Sequence, residues 1–288
     1  MNSNLLKKMQ LSMASFSKSQ KRIADYIINH YDKAAFMTAS KLGDKINVSE
    51  STVVRFAAEL GYDGYPAMQK ALQEIIRNKL TAVQRIEVAN DRIGESNALD
   101  MVMRSDIDNI LSTLNEIDRS EFDSVVNSIL AARRIYIIGV RSASALAQFL
   151  GFYFRLIFPD VSVVGTISAS EIFEQILGIS EGDVFIGISF PRYSKRTLKA
   201  MQYAQSRGAN VVALTDSERS PLNQFATNKL IAKSDMVSFV DSLVAPLSII
   251  NALIVAISMR KNAEISDTFK RLEKIWDEYE VYEKFDNE

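Results

Sequence analysis

The chain has 288 residues, of which 47% are apolar and 24% charged, the composition of a globular protein of about two domains. It contains no cysteine and one histidine, His30, which excludes disulfides, thiolate chemistry and any mechanism or metal site that needs two histidines. The formal net charge of −1, taken alone, argues against a polyanionic partner.

The charge is distributed unevenly along the chain. Residues 1–80 contain twelve Lys and Arg against seven Asp and Glu, a net charge of +5, and the remainder contains 22 against 28, a net charge of −6. A basic module joined to an acidic one favours a polyanion as the partner of the first part alone. We expect four segments: a helical domain over 1–80, a polar linker over 81–97, a second domain over 98–265 and an acidic amphipathic helix over 266–288.

The sequence favours a cytoplasmic protein with no membrane partner. The first twenty residues lack the apolar core of a secretory signal. The most apolar stretch, Leu243–Met259, contains Pro246 and falls short of the ~20 apolar residues that span a bilayer. We expect this stretch to be a buried helix.

The first domain has the spacing of a helix-turn-helix. Ser17 and Gln20 match a capping box at the start of a helix. Further on, Gly43 supplies a small residue where two helices cross, Asn47 supplies a turn residue suited to positive φ, and Ser49 can cap the second helix. Five apolar residues fill the shared core of such a motif: Leu42, Ile46, Val48, Val53 and Phe56.

In a helix-turn-helix the amino-terminal part of the second helix, here about 49–60, enters the major groove. The candidate DNA-binding residues on the two helices are Lys41, Lys45, Ser49, Ser51, Thr52 and Arg55. Lys18, Lys21 and Arg22, on the preceding helix, are further candidates for phosphate contact. The alternative is a three-helix bundle with no nucleic-acid role.

The second domain alternates strands and helices. Strands are predicted at Ile135–Val140, Val161–Val164, Val184–Ser189, Val211–Thr215 and Lys229–Ala232, with helices at Ser142–Ile157, Ala169–Leu177 and Ser194–Arg207 and a short one at Pro221–Ala226. Such alternation implies a parallel sheet in a three-layer α/β domain. The predicted fold class is therefore an α helix-turn-helix bundle followed by an α/β three-layer domain.

Two of these strands end in loops rich in hydroxyls and cations. The candidate effector-binding residues are Arg141, Ser142 and Ser144 after the first strand, and Ser189, Arg192, Tyr193 and Ser194 after the third. Ligands of open α/β sheets bind at the carboxyl ends of the strands, and these groups suit a phosphate monoester. Neither loop matches a nucleotide fingerprint, and we expect no cofactor and no metal. The alternative is that the serines only cap helices and the arginines are solvated.

Two further amphipathic helices are predicted. Leu99, Met103, Ile107, Ile110 and Leu114 recur at helical spacing, in a helix that either enters the second domain or packs against a partner subunit. Leu272, Ile275, Trp276 and Tyr279 do the same near the carboxyl end, where we expect a helix that docks one face and leaves an acidic face in solvent.

Taken as a whole, the chain resembles the MurR/RpiR family of bacterial transcriptional regulators. The resemblance lies in residues 19–27, 37–42, 48–56 and 60–65 of the first domain. In the second, residues 135–147, 182–198, 211–216 and 220–222 are similar to the sugar isomerase (SIS) domain.

The resemblance implies a regulator that binds double-stranded operator DNA and whose SIS domain senses a phosphorylated sugar. It also implies a homodimer or higher homo-oligomer. By position, Ser189 and Ser194 match the two hydroxyl residues of the SIS phosphate loop. The chain departs from the pattern at Pro191-Arg192, where a Ser-Gly pair is usual, and at Arg141, where a glycine is usual. We expect the two arginines to take over anion binding; the alternative is that they exclude phosphate.

An enzyme is the competing class, namely a sugar-phosphate isomerase with a fused helical domain. That chemistry needs a base near the substrate, and the second domain contains no histidine. Glu171 and Glu174 are the remaining candidates, although both fit the solvated face of a helix equally well. We therefore expect no catalytic residues. A scaffold in which both domains make only protein contacts is a third possibility.

Overall fold

The amino-terminal part is built from helices. The structure, a computed structural model, describes residues 5–77, 81, 83–86, 97–165, 168–237 and 239–283. The helices are α1 (Leu5–Ser12), α2 (Lys18–Asn29), α3 (Tyr31–Ala34), α4 (Ala39–Ile46), α5 (Glu50–Glu59) and α6 (Gly64–Arg77). The predicted capping box of α2 is present: the Ser17 amide donates to Gln20 Oε1 at 2.7 Å, and the Gln20 amide donates to Ser17 Oγ at 3.4 Å.

One apolar core joins these helices. Val53 and Phe56 of α5 are completely buried, together with Leu42 of α4 and Ile23 of α2, and the ring of Phe16 meets that of Phe56 edge-on at 5.2 Å. Burying a side chain of this size is worth roughly 1.5–3 kcal/mol, so this cluster dominates the stability of the bundle.

The turn between α4 and α5 has the predicted helix-turn-helix geometry. Asn47 adopts the left-handed conformation, with φ 52° and ψ 55°. A Cβ atom on Gly43 would lie 2.6 Å from the carbonyl oxygen of Val48, a distance at which only glycine fits. The Thr38 side chain caps α4 and the Ser49 side chain caps α5. The predicted positions of the crossing, the turn and both caps are therefore confirmed.

Two helices precede the sheet: α7 (Ala98–Glu116) and α8 (Arg119–Leu130). By its contacts the chain separates into one unit of Met1–Met103 with Met236–Asp241, and a second of Arg104–Asp235 with Ser242–Glu288. Most of the predicted linker lies outside the described residues, and the predicted domain boundaries stay predictions.

The second unit contains a five-stranded parallel sheet. Its strands are β1 (Ile135–Gly139), β2 (Val161–Val164), β3 (Val184–Ile188), β4 (Asn210–Thr215) and β5 (Asn228–Ile231), in the order β2-β1-β3-β4-β5. The intervening helices are α9 (Ala143–Ile157), α10 (Ala169–Gln175) and α11 (Lys195–Ser206), with a 3₁₀ turn at Pro221–Gln224. Each lies within about two residues of its predicted position.

Helices cover both faces of the sheet. Ile135 and Ile137 of β1 pack in one buried cluster with residues of α8 and α9, whereas Tyr136 and Ile138 pack on the opposite face with residues of α10 and α11. Alternate side chains of one strand thus point into two apolar layers, which explains why the strands are continuous apolar runs rather than alternating ones. The predicted three-layer fold class is confirmed.

The carboxyl-terminal part consists of α12 (Val244–Arg260) and α13 (Asn262–Glu278). α12 buries one face, including Ile250 and Leu253, while Val255 is exposed, so the expected buried helix is buried on one side only. The last helix, α13, contacts α9 and α12, and Leu272 and Trp276 are half-buried, whereas Ile275 is about half exposed. The expected amphipathic helix is therefore present, but no residue of its docked side is fully buried.

No single helix in the described residues is long and apolar enough to cross a bilayer; only α12 and α13 together reach that length and composition, across a bend of 99°.

The close approach at Gly43 makes the helix-turn-helix sensitive to one methyl group. We expect Gly43→Ala to destabilise the first unit by about 1–3 kcal/mol and to weaken DNA binding, because the clashing atom is backbone and cannot rotate away. Thermal unfolding of the full chain followed by circular dichroism measures the loss. Gly178→Ala is the control, since a Cβ atom there has no neighbour within 4 Å. Identical unfolding curves for the two variants would contradict the prediction.

Candidate DNA-binding helix and effector site

The start of α5 presents a cluster of hydroxyls. Ser49 Oγ lies 3.0 Å from Ser51 Oγ and 2.8 Å from Thr52 Oγ1, and it accepts a hydrogen bond from the Thr52 amide at 3.3 Å. The Ser49 hydroxyl is therefore already used as the cap of the helix, while Ser51 is exposed. Arg55 lies one turn further along α5 and is exposed.

Several exposed cations lie on the two helices α2 and α4, which precede α5 in the chain. Lys41 and Lys45 of α4 and Lys18 and Lys21 of α2 are exposed, so their charges are available to a polyanion. Arg22 has a structural contact as well, because its guanidinium donates to the carbonyl oxygen of Ile46 at the end of α4.

The two predicted effector loops leave neighbouring strands. β1 and β3 pair in parallel, with Gly139 opposite Ile188, so the loops at 140–142 and 189–194 begin side by side at the carboxyl edge of the sheet. From β1 the chain crosses to β2 on one side and later returns to β3 on the other. In an open α/β sheet this point, where the strand order reverses, is where the ligand crevice forms.

The loop after β1 is held by backbone contacts. Arg141 has φ 61°, in the left-handed region that an L residue occupies at a cost. The Ser144 hydroxyl donates to the carbonyl oxygen of Arg141 at 2.5 Å and so belongs to the turn. Ser142 makes no side-chain cap at the start of α9, which excludes the interpretation that it only caps this helix.

The loop after β3 closes on itself. The buried Ser189 Oγ accepts from the Ser194 amide at 3.1 Å, and Ser194 Oγ caps α11 by accepting from the amides of Arg196 and Thr197. Ser194 therefore does cap its helix. Arg192 is exposed. Neither its guanidinium nor that of Arg141 has a hydrogen-bond or ion-pair partner among the residues that the structure describes.

Residues at the end of β4 support the loop after β3. The sequence analysis did not include them among the candidate site residues. The Thr215 hydroxyl donates to the carbonyl oxygen of Ser189 at 2.9 Å and lies 2.7 Å from the Ser220 hydroxyl. The Tyr193 hydroxyl donates to Asp216 Oδ1 at 2.7 Å, and Asp216 is itself buried. Thr215 is the last residue of β4 and Asp216 follows it, and this position at a strand end is the signal that could have identified both residues.

The carboxyl ends of β1 and β3 therefore offer hydroxyl groups, helix amino-termini and two exposed guanidinium groups, a set that suits an anion. Glu171 and Glu174 are exposed on α10. Among the described residues, no group of three or more His, Asp or Glu is placed to hold a metal ion.

The structure combines a helix-turn-helix bundle with an α/β domain that has an open parallel sheet. Two family models match the chain: the helix-turn-helix domain of the rpiR family over residues 3–79, and the SIS domain over residues 128–256.

Similar proteins agree with these models. The HTH-type transcriptional regulator HexR of Escherichia coli is 25% identical over 94% of this chain and 93% of its own length. An uncharacterized HTH-type transcriptional regulator of Haemophilus influenzae is 28% identical over 79% of each chain.

Two solved structures share the fold. The sugar isomerase domain of an RpiR transcription factor from Sphaerobacter thermophilus covers 62% of this chain and 98% of its own, with a TM-score of 0.59 and 25% identity. The NanR protein of Vibrio vulnificus, solved with ManNAc-6P, covers 95% and 98%, with a TM-score of 0.58 and 24% identity.

The chain therefore carries a helix-turn-helix domain of the rpiR family followed by a SIS domain, and it is similar over most of its length to HTH-type transcriptional regulators. The predicted family is confirmed, and the names of the relatives favour the regulator over the isomerase alternative.

The backbone of Arg141 gives a prediction about stability. We expect Arg141→Gly to raise the free energy of unfolding of the second unit by roughly 0.5–1 kcal/mol. Glycine adopts a positive φ without the steric strain that arginine has there, and this gain exceeds the additional backbone entropy that glycine loses on folding. Urea unfolding followed by the fluorescence of Trp276, the one tryptophan of the chain, reports on this unit. Arg141→Ala removes the same charge but keeps the backbone cost, so equal stabilities of the two variants would refute the prediction.

Proposed function

We propose that this regulator binds operator DNA as a cytoplasmic homodimer through the exposed face of α5, and that a phosphorylated sugar bound between the loops after β1 and β3 changes its affinity for DNA. The observation that carries the effector proposal is the placement of Arg141 and Arg192, two exposed guanidinium groups on neighbouring strand ends. A charge-assisted contact to phosphate is about twice as strong as a neutral hydrogen bond.

The DNA-binding part of the proposal is supported by charge and exposure. Residues 1–80 carry a net charge of +5, and the exposed side of α5 combines Ser51 and Arg55, which suit base edges or phosphates. A homodimer presents two such helices to the two half-sites of a symmetric operator.

The effector part is supported by the loop network. Ser189 and Ser194 already hold the β3 loop in one conformation, so a ligand meets a preorganised site rather than a disordered one. The bound ligand of the NanR structure is a sugar phosphate, a compound of the proposed class.

The path of the chain suggests how the two activities communicate. After β5 the chain runs through 232–235 and then contributes Met236–Asp241 to the first unit. There Met236 packs on the helical core, and Asp241 forms an ion pair of 2.9 Å with the buried Arg85. The end of β5 is therefore connected by a short stretch of chain to the unit that carries α5, and a conformational change there can be passed to that unit.

Arg55 is the side chain with which to test the DNA proposal. We expect Arg55→Ala to weaken binding by about 1–3 kcal/mol, or roughly ten- to a hundredfold, to a duplex selected from a random pool by the wild-type chain. Fluorescence anisotropy against several duplexes separates two mechanisms: a base contact relaxes specificity at one position, whereas a phosphate contact lowers affinity uniformly and reduces the salt dependence.

The matched control is Arg207→Ala, which removes an arginine from the second unit. If Arg55→Ala binds every duplex as tightly as this control does, Arg55 makes no DNA contact.

Calorimetric titration with hexose 6-phosphates and N-acetylhexosamine 6-phosphates tests the effector proposal. We expect at least one to bind, and Arg141→Ala and Arg192→Ala each to weaken binding by roughly 1.5–3 kcal/mol through the loss of a charge-assisted hydrogen bond. Arg207→Ala again serves as the control. Binding of a non-phosphorylated acid, with no heat from any sugar phosphate, would show that the arginines exclude phosphate.

A further inference from the structure

Helix α7 has its apolar side in solvent and its polar side buried. Its two buried residues are Asn109 and Thr113. Beside this polar side runs a stripe of apolar side chains that are between 50% and 66% exposed: Leu99, Met103, Ile107, Leu111 and Leu114. We call these five residues the α7 stripe. This arrangement is the reverse of the usual burial of an amphipathic helix.

The polar side of α7 is fully engaged in holding the chain segment that follows β5. Thr113 Oγ1 accepts from the Lys233 amide at 2.8 Å. The side-chain amide of Asn109 pairs with the backbone of Asp235, donating to its carbonyl oxygen at 3.2 Å and accepting from its amide at 3.1 Å. Glu116 forms an ion pair with Lys233 at 2.5 Å. Because these contacts fix which side of the helix faces inward, α7 cannot roll to bury the stripe.

The size of the α7 stripe matches an interface rather than a stray apolar patch. The five side chains together expose on the order of 500 Å², in the upper part of the ~300–600 Å² that the largest patch of a monomer presents. Two such stripes in contact bury on the order of 1,000 Å², about the least that a biological interface buries. A second copy of this chain therefore supplies enough apolar surface to cover the stripe.

We propose that α7 pairs antiparallel with α7 of a second copy of this chain, about a two-fold axis that passes near Ile107. The stripe is symmetric about this residue, so Leu99 of one copy packs beside the partner subunit's Leu114, and Ile107 packs beside the partner subunit's Ile107. An isologous contact of this kind uses one surface on both copies and closes after two.

The charges beside the α7 stripe favour this orientation. Asp100, Arg104 and Asp108 follow one another at four-residue spacing along one flank of the stripe. In the antiparallel pair, Arg104 lies level with the partner subunit's Asp108, and the axis repeats this contact on the other side. Opposite charges at this spacing stabilise the pair and set its register.

This inference rests on the homodimer proposed above and adds the surface that forms it. The alternative occupants are another part of the same chain and a different protein. Both are distinguished from a second copy by the following experiments, which use the full chain.

The absence of cysteine from the chain allows a direct test. Ile107→Cys introduces one thiol near the proposed axis, and under mild oxidation we expect a covalent dimer on a non-reducing gel. Val255→Cys is the matched control, because Val255 of α12 is 57% exposed and Ile107 is 52% exposed. If the Val255→Cys variant forms a covalent dimer and the Ile107→Cys variant does not, the interface does not involve α7.

Analytical ultracentrifugation tests the same contact without oxidation. We expect Ile107→Glu to raise the dimer dissociation constant at least about a hundredfold, whereas Val255→Glu leaves it unchanged. A wild-type dimer that Ile107→Glu does not weaken overturns the interface but leaves the homodimer intact. A wild-type monomer overturns both, and it identifies the cover of the stripe as something other than a second copy.

A charge reversal tests the antiparallel register. Arg104→Asp and Asp108→Arg are each expected to weaken the dimer, and the double variant to restore it, because the pair is exchanged rather than removed. Failure of the double variant to recover the wild-type dissociation constant would refute the register.

Discussion

The parallel pairing of β1 with β3 is the constraint on which the effector site depends. It sets Gly139 opposite Ile188 and thereby starts two loops, rich in hydroxyls and cations, at the same edge of the sheet. The pairing is stabilised by burial on both faces, since every residue of β1 and β3 is buried. The apolar packing of helices on both faces of the sheet therefore determines where the candidate effector site lies, although none of these apolar residues contributes a polar group to the site.

The loops use that position differently. After β3, the hydroxyls of Ser189 and Ser194 hold the loop closed, with Thr215 supporting it from the next strand. After β1, Arg141 takes a left-handed conformation at a position where the SIS pattern usually has glycine. Retaining an arginine at that cost is understandable if its charge is used, which agrees with the role proposed for it. A glycine at this position would adopt the same backbone conformation with less strain, but it would carry no charge.

The sequence predicted the fold well because the relevant signals are local. The short continuous apolar runs of the strands, the small residue at Gly43 and the turn residue at Asn47 are each readable from a few consecutive residues of the chain. The order of the strands is not such a signal. Neither is the support that Thr215 and Asp216 give to a loop that ended more than twenty residues earlier, because only the assembled sheet brings β3 beside β4. The candidate residues could thus be named from the sequence, while the network that holds them could not.

The α7 stripe shows a second limit of the sequence. Its spacing predicted a helix with one apolar side, and the structure contains that helix. The apolar periodicity of a helix indicates that one of its sides is buried. The same periodicity is found whether that side is buried by the same chain or by a second chain. The deciding signal lies on another side of the helix. Asn109 and Thr113 are ordinary polar residues in the sequence, yet in the structure their side chains form hydrogen bonds with backbone groups of Lys233 and Asp235. These bonds hold the polar side of α7 inward, and the apolar stripe of a single copy is left in solvent.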